Sequence, residues 1–407
     1  MSLKVKIPAD SLQLGMYVVE LDRPWLDVPL MFQKLVVKRE LELKTLKEYC
    51  KYVYIEVDEQ FWSLQKDKLK AKAKTAPLPE NTPLHHELRR AQGTYEAARE
   101  EAINLLEMAK MGMKIDISHT RRVMQSCMIS IMSNANALFW LTRIKDKHQF
   151  TAEHSVRVAI LAIALGKYLK LDEQQLELLG LCGMLHDLGK TQIPEDILDK
   201  PGLLTDIEKR VMQKHTILGY ELVNSDPAIN HTVKDVIKNH HAHIDGTGYP
   251  NLPAEQLSLY CRIISIVDAY DTMTSDTCYS RSRSARDSLK ELFNQRNKQF
   301  DGDLVEAFIR MLGIYPPGTL VEMSNGEVGI VISTHPEKKL KPKVELVRDC
   351  EGKLRKSLII DLSKCPSDKS GMRYAIKRPL ADGAMGFDMR SYIQQTHHIH
   401  ATSSREH

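Results

Sequence analysis

Long apolar runs are missing from this chain: none of its 407 residues sits in a stretch approaching the ~20 that a helix needs to cross a bilayer. The opening MSLKVKIPAD lacks the apolar core of a signal peptide, so the expectation is a cytoplasmic protein. Paired cysteines are missing too. The seven present (Cys50, Cys127, Cys182, Cys261, Cys278, Cys350, Cys365) form no CxxC pair, which argues against a zinc knuckle and a disulfide framework. Their odd number suits a reducing compartment. Excess charge is also lacking: a formal +4 is too weak to argue for a DNA-binding surface. No internal repeat marks a solenoid. What remains is an ordinary globular composition, 43% apolar and 27% charged, with length for two or three domains.

GMYVVEL (15–21) and PLMFQKLVV (29–37) read as strands, RELELKTLKEYC (39–50) as a helix and KYVYIEV (51–57) as a returning strand. Residues 1–63 are therefore expected to form a small α+β unit. Residues 64–85 turn basic and then proline-rich, and read as an exposed linker. From His86 apolar residues recur at helical spacing, giving a helical connector over 86–147 and a helical domain over 148–315. Thr151 reads as a cap for the helix through His154, and Asp172 with Gln175 and Thr205 with Glu208 fit capping boxes. Beyond Tyr315 the alternation of PPGTLVEMSNGEVGIVIS predicts a hairpin around Ser324-Asn325-Gly326, with strands in PKVELVRDCEGK and LIIDLS. The expected fold is mainly α, with a small α+β N-terminal domain, a β-rich appendage over 316–365 and a tail over 366–407.

The helical part carries metal-capable side chains in apolar settings. His186 and Asp187 follow LELLGLCGML, and Asp268 lies inside IISIVDAY. A carboxylate buried there must be paired or bound to a cation, because isolated burial costs several kcal/mol. His154, His215 and the adjacent His240 and His241 complete a set suited to borderline divalent metals: iron or manganese, nickel or zinc. An aspartate beside a histidine can bridge two ions with its two oxygens. After His240 and His241 the chain runs through Ala242, His243 and Ile244 into Asp245-Gly246-Thr247-Gly248-Tyr249-Pro250, a turn where glycine tolerates unusual φ and lets backbone approach a phosphate. His243 reads as a surface residue.

These residues carry a family resemblance. HDLGK (186–190) is similar to the motif that names the HD-domain phosphohydrolases, and HIDGTGYP (243–250) contains a GYP signature. With TAEHSVRV and DAYDTMTSD, the chain from about 148 to 315 resembles the HD-GYP subfamily. Residues 1–63 also look like a small domain often found ahead of such units. The resemblance implies an all-helical catalytic domain that hydrolyses cyclic dinucleotides, chiefly the bacterial second messenger cyclic di-GMP, with two divalent transition-metal ions. Carried over by position, His154, His186, Asp187 and Asp268 hold one ion, and Asp187, His215, His240 and His241 the other. Where relatives with a third ion carry glutamate, one turn before the first histidine, this chain has Phe150. Asp187 and Lys190 are the implied catalytic residues, Lys190 neutralising phosphoryl charge. Gly246, Gly248 and Tyr249 would contact substrate.

The chain departs from the pattern at Ala242, where the family has glutamate, and at Thr277, Cys278, Tyr279 and Ser280, where it tends to have Arg-Pro-Tyr-Arg. Arg281 and Arg283 are near enough to replace the missing cations, and Arg281 is assigned to the substrate phosphate. Competing expectations are a hydrolase of another cyclic dinucleotide and a nucleotide sensor. The partners expected are a second copy of the chain or a signalling protein.

Overall fold

The computed structural model of the chain describes residues 3–9, 12, 16–23, 28, 35–37, 39–57, 82–143, 150–275, 283–335, 338, 340–368, 370–380, 384, 387 and 391–392. Most of the segment read as a linker, and the whole of 276–282, lie outside these.

The N-terminal unit is an antiparallel sheet of β1 (Leu3–Pro8), β2 (Tyr17–Leu21), β3 (Leu35–Val36) and β4 (Tyr52–Val57), in the order β1-β4-β2-β3. Helix α1 (Glu40–Tyr49) joins β3 to β4 and buries Leu46. The sequence reading missed β1, whose LKVKIP ends in a proline. At a sheet edge that is tolerated, and β1 pairs with β4 from Leu3↔Val57 to Pro8↔Tyr52.

Two long helices follow, α2 (Leu84–Lys110) and α3 (Ile117–Leu141), packed along one another. Gly112, with φ +66°, turns the chain between them, and Asp116 caps α3 by accepting from the Ser118 N–H. Helix α3 is broken at Asn134 (φ −159°), whose side chain accepts from the Asn136 N–H and donates to the Thr82 carbonyl.

Helix α4 (Phe150–Tyr168) is almost wholly buried and largely apolar, with Glu153, His154 and Arg157 the buried charge-bearing residues near its start. It starts at Phe150, so Thr151 lies inside its first turn and does not cap it. The sequence signal there was ambiguous because the first turn has no strong apolar stripe. Both capping boxes form: Asp172 with Gln175 opens α5 (Glu173–Leu185), and Thr205 with Glu208 opens α7 (Asp206–Gln213). Between these helices lie a short 3-10 helix (Leu188–Gln192) and α6 (Glu195–Leu198). The body is completed by α8 (His215–Asn224), α9 (His231–Asn239), α10 (Leu259–Thr274), α11 (Ala285–Asn294) and α12 (Gly302–Leu312).

A second antiparallel sheet closes the described chain: β5 (Leu320–Met323), β6 (Val328–Ser333), β7 (Lys343–Arg348), β8 (Leu354–Asp361) and β9 (Ile376–Pro379), in the order β8-β7-β6-β5-β9. Gly326 (φ +84°) makes the β5–β6 turn. β9 comes from residues read as tail. Its four residues are too few to show a pattern, and only pairing with β5 gives them strand geometry. The Trp140 indole N–H donates to the Val331 carbonyl at 3.0 Å and ties the helical body to this sheet. The fold is mainly α with small sheets toward both ends, and among the described residues no helix is long and apolar enough to cross a membrane.

Candidate metal centre

The seven histidines and aspartates singled out in the sequence converge in the helical body, most of them at helix ends. His154 lies one turn into α4. His186 caps the C-terminus of α5 and Asp187 follows it. His215 is the first residue of α8, His240 caps α9 with His241 next, and Asp268 sits within α10. Two glycines let these helices close up. A Cβ on Gly183 would lie 2.5 Å from the Ala159 Cα, so α5 can approach α4 only there without a side chain. A Cβ on Gly189 would lie 1.9 Å from the His215 carbonyl oxygen, which brings the 3-10 helix against the start of α8.

The side chains form two groups, His154, His186 and Asp268 in one, and Asp187, His215, His240 and His241 in the other, with potential ligand atoms within 4.8 Å of one another in each. Asp187 stands between them. Its Oδ2 is 3.2 Å from His186 Nε2 and 3.5 Å from His154 Nε2, while its Oδ1 is 3.4 Å from His215 Nε2 and 3.8 Å from His240 Nε2. Asp268 spans the groups from the other side, with Oδ1 3.1 Å from His154 Nε2 and Oδ2 3.8 Å from His241 Nδ1.

The chemistry of the donors fits divalent metal. Nδ1 of His186 donates to the Gly183 carbonyl, Nδ1 of His215 to the Met212 carbonyl, and Nδ1 of His240 to the Val236 and Ile237 carbonyls. A carbonyl only accepts, so each ring carries its proton on Nδ1 and points Nε2 inward. The Nε2 atoms of His215 and His240 then face each other at 3.3 Å, two lone pairs with no hydrogen between them. The buried Asp187 Oδ1 makes no hydrogen bond. Groups left this way in a protein interior call for a cation.

Electrostatics set the same state. Burial lowers the pKa of His215 and His240, and takes His241 down to about 3, so these rings are neutral. Burial alone would raise Asp187 and Asp268. The His186 ring and the Lys190 ammonium beside Asp187, and the hydrogen bond from His154 to Asp268, outweigh it and hold both carboxyls below their ordinary range. His154 is the exception: burial opposes its charge, but hydrogen bonds to Asp268 and Asp271 push it up to about 9.

Lys190 donates to Asp187 Oδ2 at 2.6 Å and keeps 21% of its side chain exposed, close to the 27% of His241. The other residues of the two groups are buried, so the cluster opens toward solvent on the side of these two residues. In the turn, Gly246 adopts φ +76°. Gly248 is needed for a different reason: a Cβ there would meet the His241 carbonyl at 2.2 Å. That close approach lets the Tyr249 N–H donate to the His241 carbonyl and the Tyr249 ring stack on the His241 imidazole, centroids 4.7 Å apart. The turn thus packs on the second of the two groups. His243 is half-buried, and its ring bonds to Thr247 Oγ1. Arg281 and residues 277–280 lie outside the described residues, and the Arg283 N–H donates to the Met273 carbonyl.

Sequence reasoning missed the residues behind His154. Its Nδ1 lies 2.8 Å from Asp271 Oδ2, and Arg157 grips the same carboxylate with two hydrogen bonds. The signal was there to be read: Asp271 is three residues after Asp268, and Arg157 three after His154, each on the same face of an apolar helix.

A family model described as HD domain matches residues 142–304. Residues 4–120 match "Domain of unknown function (DUF3391)", and residues 320–367 match "KOW domain associated with HD domain". The chain is 33% identical over 358 residues, 86% of each protein, to "Cyclic di-GMP phosphodiesterase PA4108" of Pseudomonas aeruginosa. It is 32% identical over 168 residues, 41% of this chain and 32% of the other, to "3'3'-cGAMP-specific phosphodiesterase 2" of Vibrio cholerae. Among solved structures, Bd1817, a HDG"Y"P protein from Bdellovibrio bacteriovorus, aligns with a TM-score of 0.47 at 20% identity, covering 75% of this chain and 98% of that one.

Proposed function

The chain belongs to the HD-GYP family of HD-domain phosphohydrolases, and from that membership we propose that it is a metal-dependent phosphodiesterase hydrolysing cyclic di-GMP to linear pGpG. The observation that carries the reading is Asp187, one buried carboxylate turning an oxygen to each of two donor groups. Near-full-length similarity to a protein named as a cyclic di-GMP phosphodiesterase supports the choice of substrate.

In this reading one ion is held by His154, His186, Asp187 and Asp268, and a second by Asp187, His215, His240 and His241. A third has no carboxylate one turn before His154, where the Phe150 ring stacks on the His154 imidazole at 5.7 Å. Glu153 is engaged by Arg99 and Arg157 instead. When bound, iron or manganese supplies Lewis acidity, which acidifies water and withdraws charge from phosphoryl oxygens. Asp187 fixes the spacing of the two sites. Lys190, at the open side, neutralises charge that grows on the phosphoryl group. Tyr249 and the turn of Gly246 and Gly248 border the dinucleotide, and Arg281 adds a cation for its phosphate. Water adds across one P–O3′ bond, leaving a 5′-phosphate on one guanosine and a 3′-hydroxyl on the other.

The test is an anaerobic assay of the purified chain, loaded with manganese or iron, on cyclic di-GMP and 3′3′-cGAMP, with products separated by chromatography. The expected product is pGpG from cyclic di-GMP. Faster turnover of 3′3′-cGAMP would reassign the substrate, and nucleotide binding without product would make the chain a sensor.

A further inference from the structure

Behind His154 runs a continuous line of buried charge that ends on a different helix. The His154 Nδ1 atom is 2.8 Å from Asp271 Oδ2. Arg157 donates through Nε to Asp271 Oδ1 at 2.8 Å and through Nη2 to Oδ2 at 2.9 Å. Its Nη1 reaches Glu153 Oε2 at 3.4 Å, and Arg99 on α2 lies 3.3 Å from Glu153 Oε1. His154, Asp271, Arg157 and Glu153 are all buried, whereas Arg99 keeps 24% of its side chain exposed. Helix α2 falls within the 4–120 match to the N-terminal family model, outside the match to the HD domain.

We propose that Asp271 is a positioning residue that holds His154 with Nδ1 protonated and Nε2 facing Asp187 and Asp268, and that Arg157, Glu153 and Arg99 extend this hold to α2. The argument is geometric. An ionised carboxylate can only accept, so the Nδ1 position facing Asp271 must carry the proton, leaving Nε2 as the ligand atom. The Arg157 fork fixes the carboxylate plane, because two parallel N–H bonds define its orientation. Glu153 matches the second face of the guanidinium, and Arg99 anchors Glu153. The N-terminal half of the molecule thereby has a mechanical connection to the first ligand of the candidate metal centre.

This inference rests on the two-metal reading but not on the substrate, so it is tested by metal binding. Zinc serves as a diamagnetic probe, with affinity from competition against a chelating dye and the His154 ring followed by 15N NMR. Loss of an outer partner of a ligand histidine typically costs about 10–100-fold in metal affinity. Asp271→Asn should show that loss for one zinc per chain, together with loss of the His154 Nδ1–H signal, and Asp271→Glu should recover part of both. Arg99→Ala, at the more exposed end, should weaken the same zinc about two- to fivefold, a small share of that range, and carries the test if Asp271→Asn does not fold. Unchanged zinc affinity and an unchanged His154 signal in Asp271→Asn would overturn the assignment of Asp271. Unchanged affinity in Arg99→Ala would overturn the link to α2. Failure of cyclic di-GMP hydrolysis, with these zinc results as expected, would count against the substrate and not against this inference.

Discussion

Replacing Gly189 by alanine isolates the packing that positions His215. The added Cβ would sit 1.9 Å from the His215 carbonyl oxygen and 2.4 Å from the Gly219 nitrogen, both of them main-chain atoms of α8. Ordinary contact begins near 3.4 Å, so the 3-10 helix and α8 must separate by about 1.5 Å (3.4 less 1.9) at this point. No side-chain rotation relieves such a clash. Metal–ligand distances tolerate only about ±0.2 Å. Asp187 is two residues before Gly189, and His215 begins the helix that must move, so the two ligands are pulled apart. Overpacking of this kind costs about 1–3 kcal/mol, which a domain of this size survives. Gly189→Ala should therefore remain folded by circular dichroism, with a lower melting temperature. It should retain the ion among His154, His186 and Asp268 and lose the one bound through His215. Metal analysis after gel filtration should fall from two equivalents toward one, with cyclic di-GMP hydrolysis lost. Two tightly bound equivalents in a folded Gly189→Ala protein would refute both the rigidity argument and the placement of His215 in the site.

Three further outcomes are expected. Asp187→Ala should lower the content of both metals and abolish hydrolysis, since it removes the carboxylate that faces both groups; retention of two ions by elemental analysis would contradict this. Lys190→Ala should keep the metals and lose about 10²–10³ in rate, the usual effect of removing a charge-stabilising donor, and near-normal kcat would remove Lys190 from the chemistry. His154 is pushed up to about 9 in the metal-free protein, so it is protonated below that pH and must shed a proton to become a ligand. Metal affinity at its group should rise about tenfold per pH unit up to that value, whereas His215, His240 and His241, shifted the other way, have no proton to lose near neutrality. Calorimetry at pH 7 in buffers of different ionisation heat should find about one proton released; none would refute the assignment.

The set of metal-capable residues was legible because charge is conspicuous in an apolar helix. Asp268 within IISIVDAY and His186-Asp187 after LELLGLCGML demand partners on the apolar character of their neighbours alone. The division of Asp187 between two groups came from the resemblance, since no spacing in the sequence says which helices meet. The helical spacing of Asp271 from Asp268 and of Arg157 from His154 put both beside the site, but that they pair with one another shows only in the packing of α10 against α4, because they lie more than a hundred residues apart along the chain. The strands at the margins were missed for another reason. β9 is a four-residue edge strand held by pairing and carries little pattern of its own, whereas β1 does alternate, Leu3, Val5 and Ile7 against Lys4 and Lys6, but ends in a proline that demotes it as a strand signal. Gly248 was read as freedom of φ, but the requirement there is steric, a contact with the preceding main chain that only the folded turn reveals.

Two of the histidines proposed as ligands also finish the helices that present them. The last carbonyls of a helix have no partner within it, and His186 and His240 supply one through Nδ1. Alanine at position 240 would strip the cluster of a donor and leave the Ile237 carbonyl without its imidazole partner in the interior, while Val236 keeps the backbone N–H of residue 240, at about 1–3 kcal/mol for a buried group left unmatched. A chain that loses such a histidine is thus fragile as well as inert. Decay of the chemistry cannot proceed quietly at these two positions while the scaffold persists unchanged; a descendant that kept the fold without these two histidines would have to rebuild the ends of two helices.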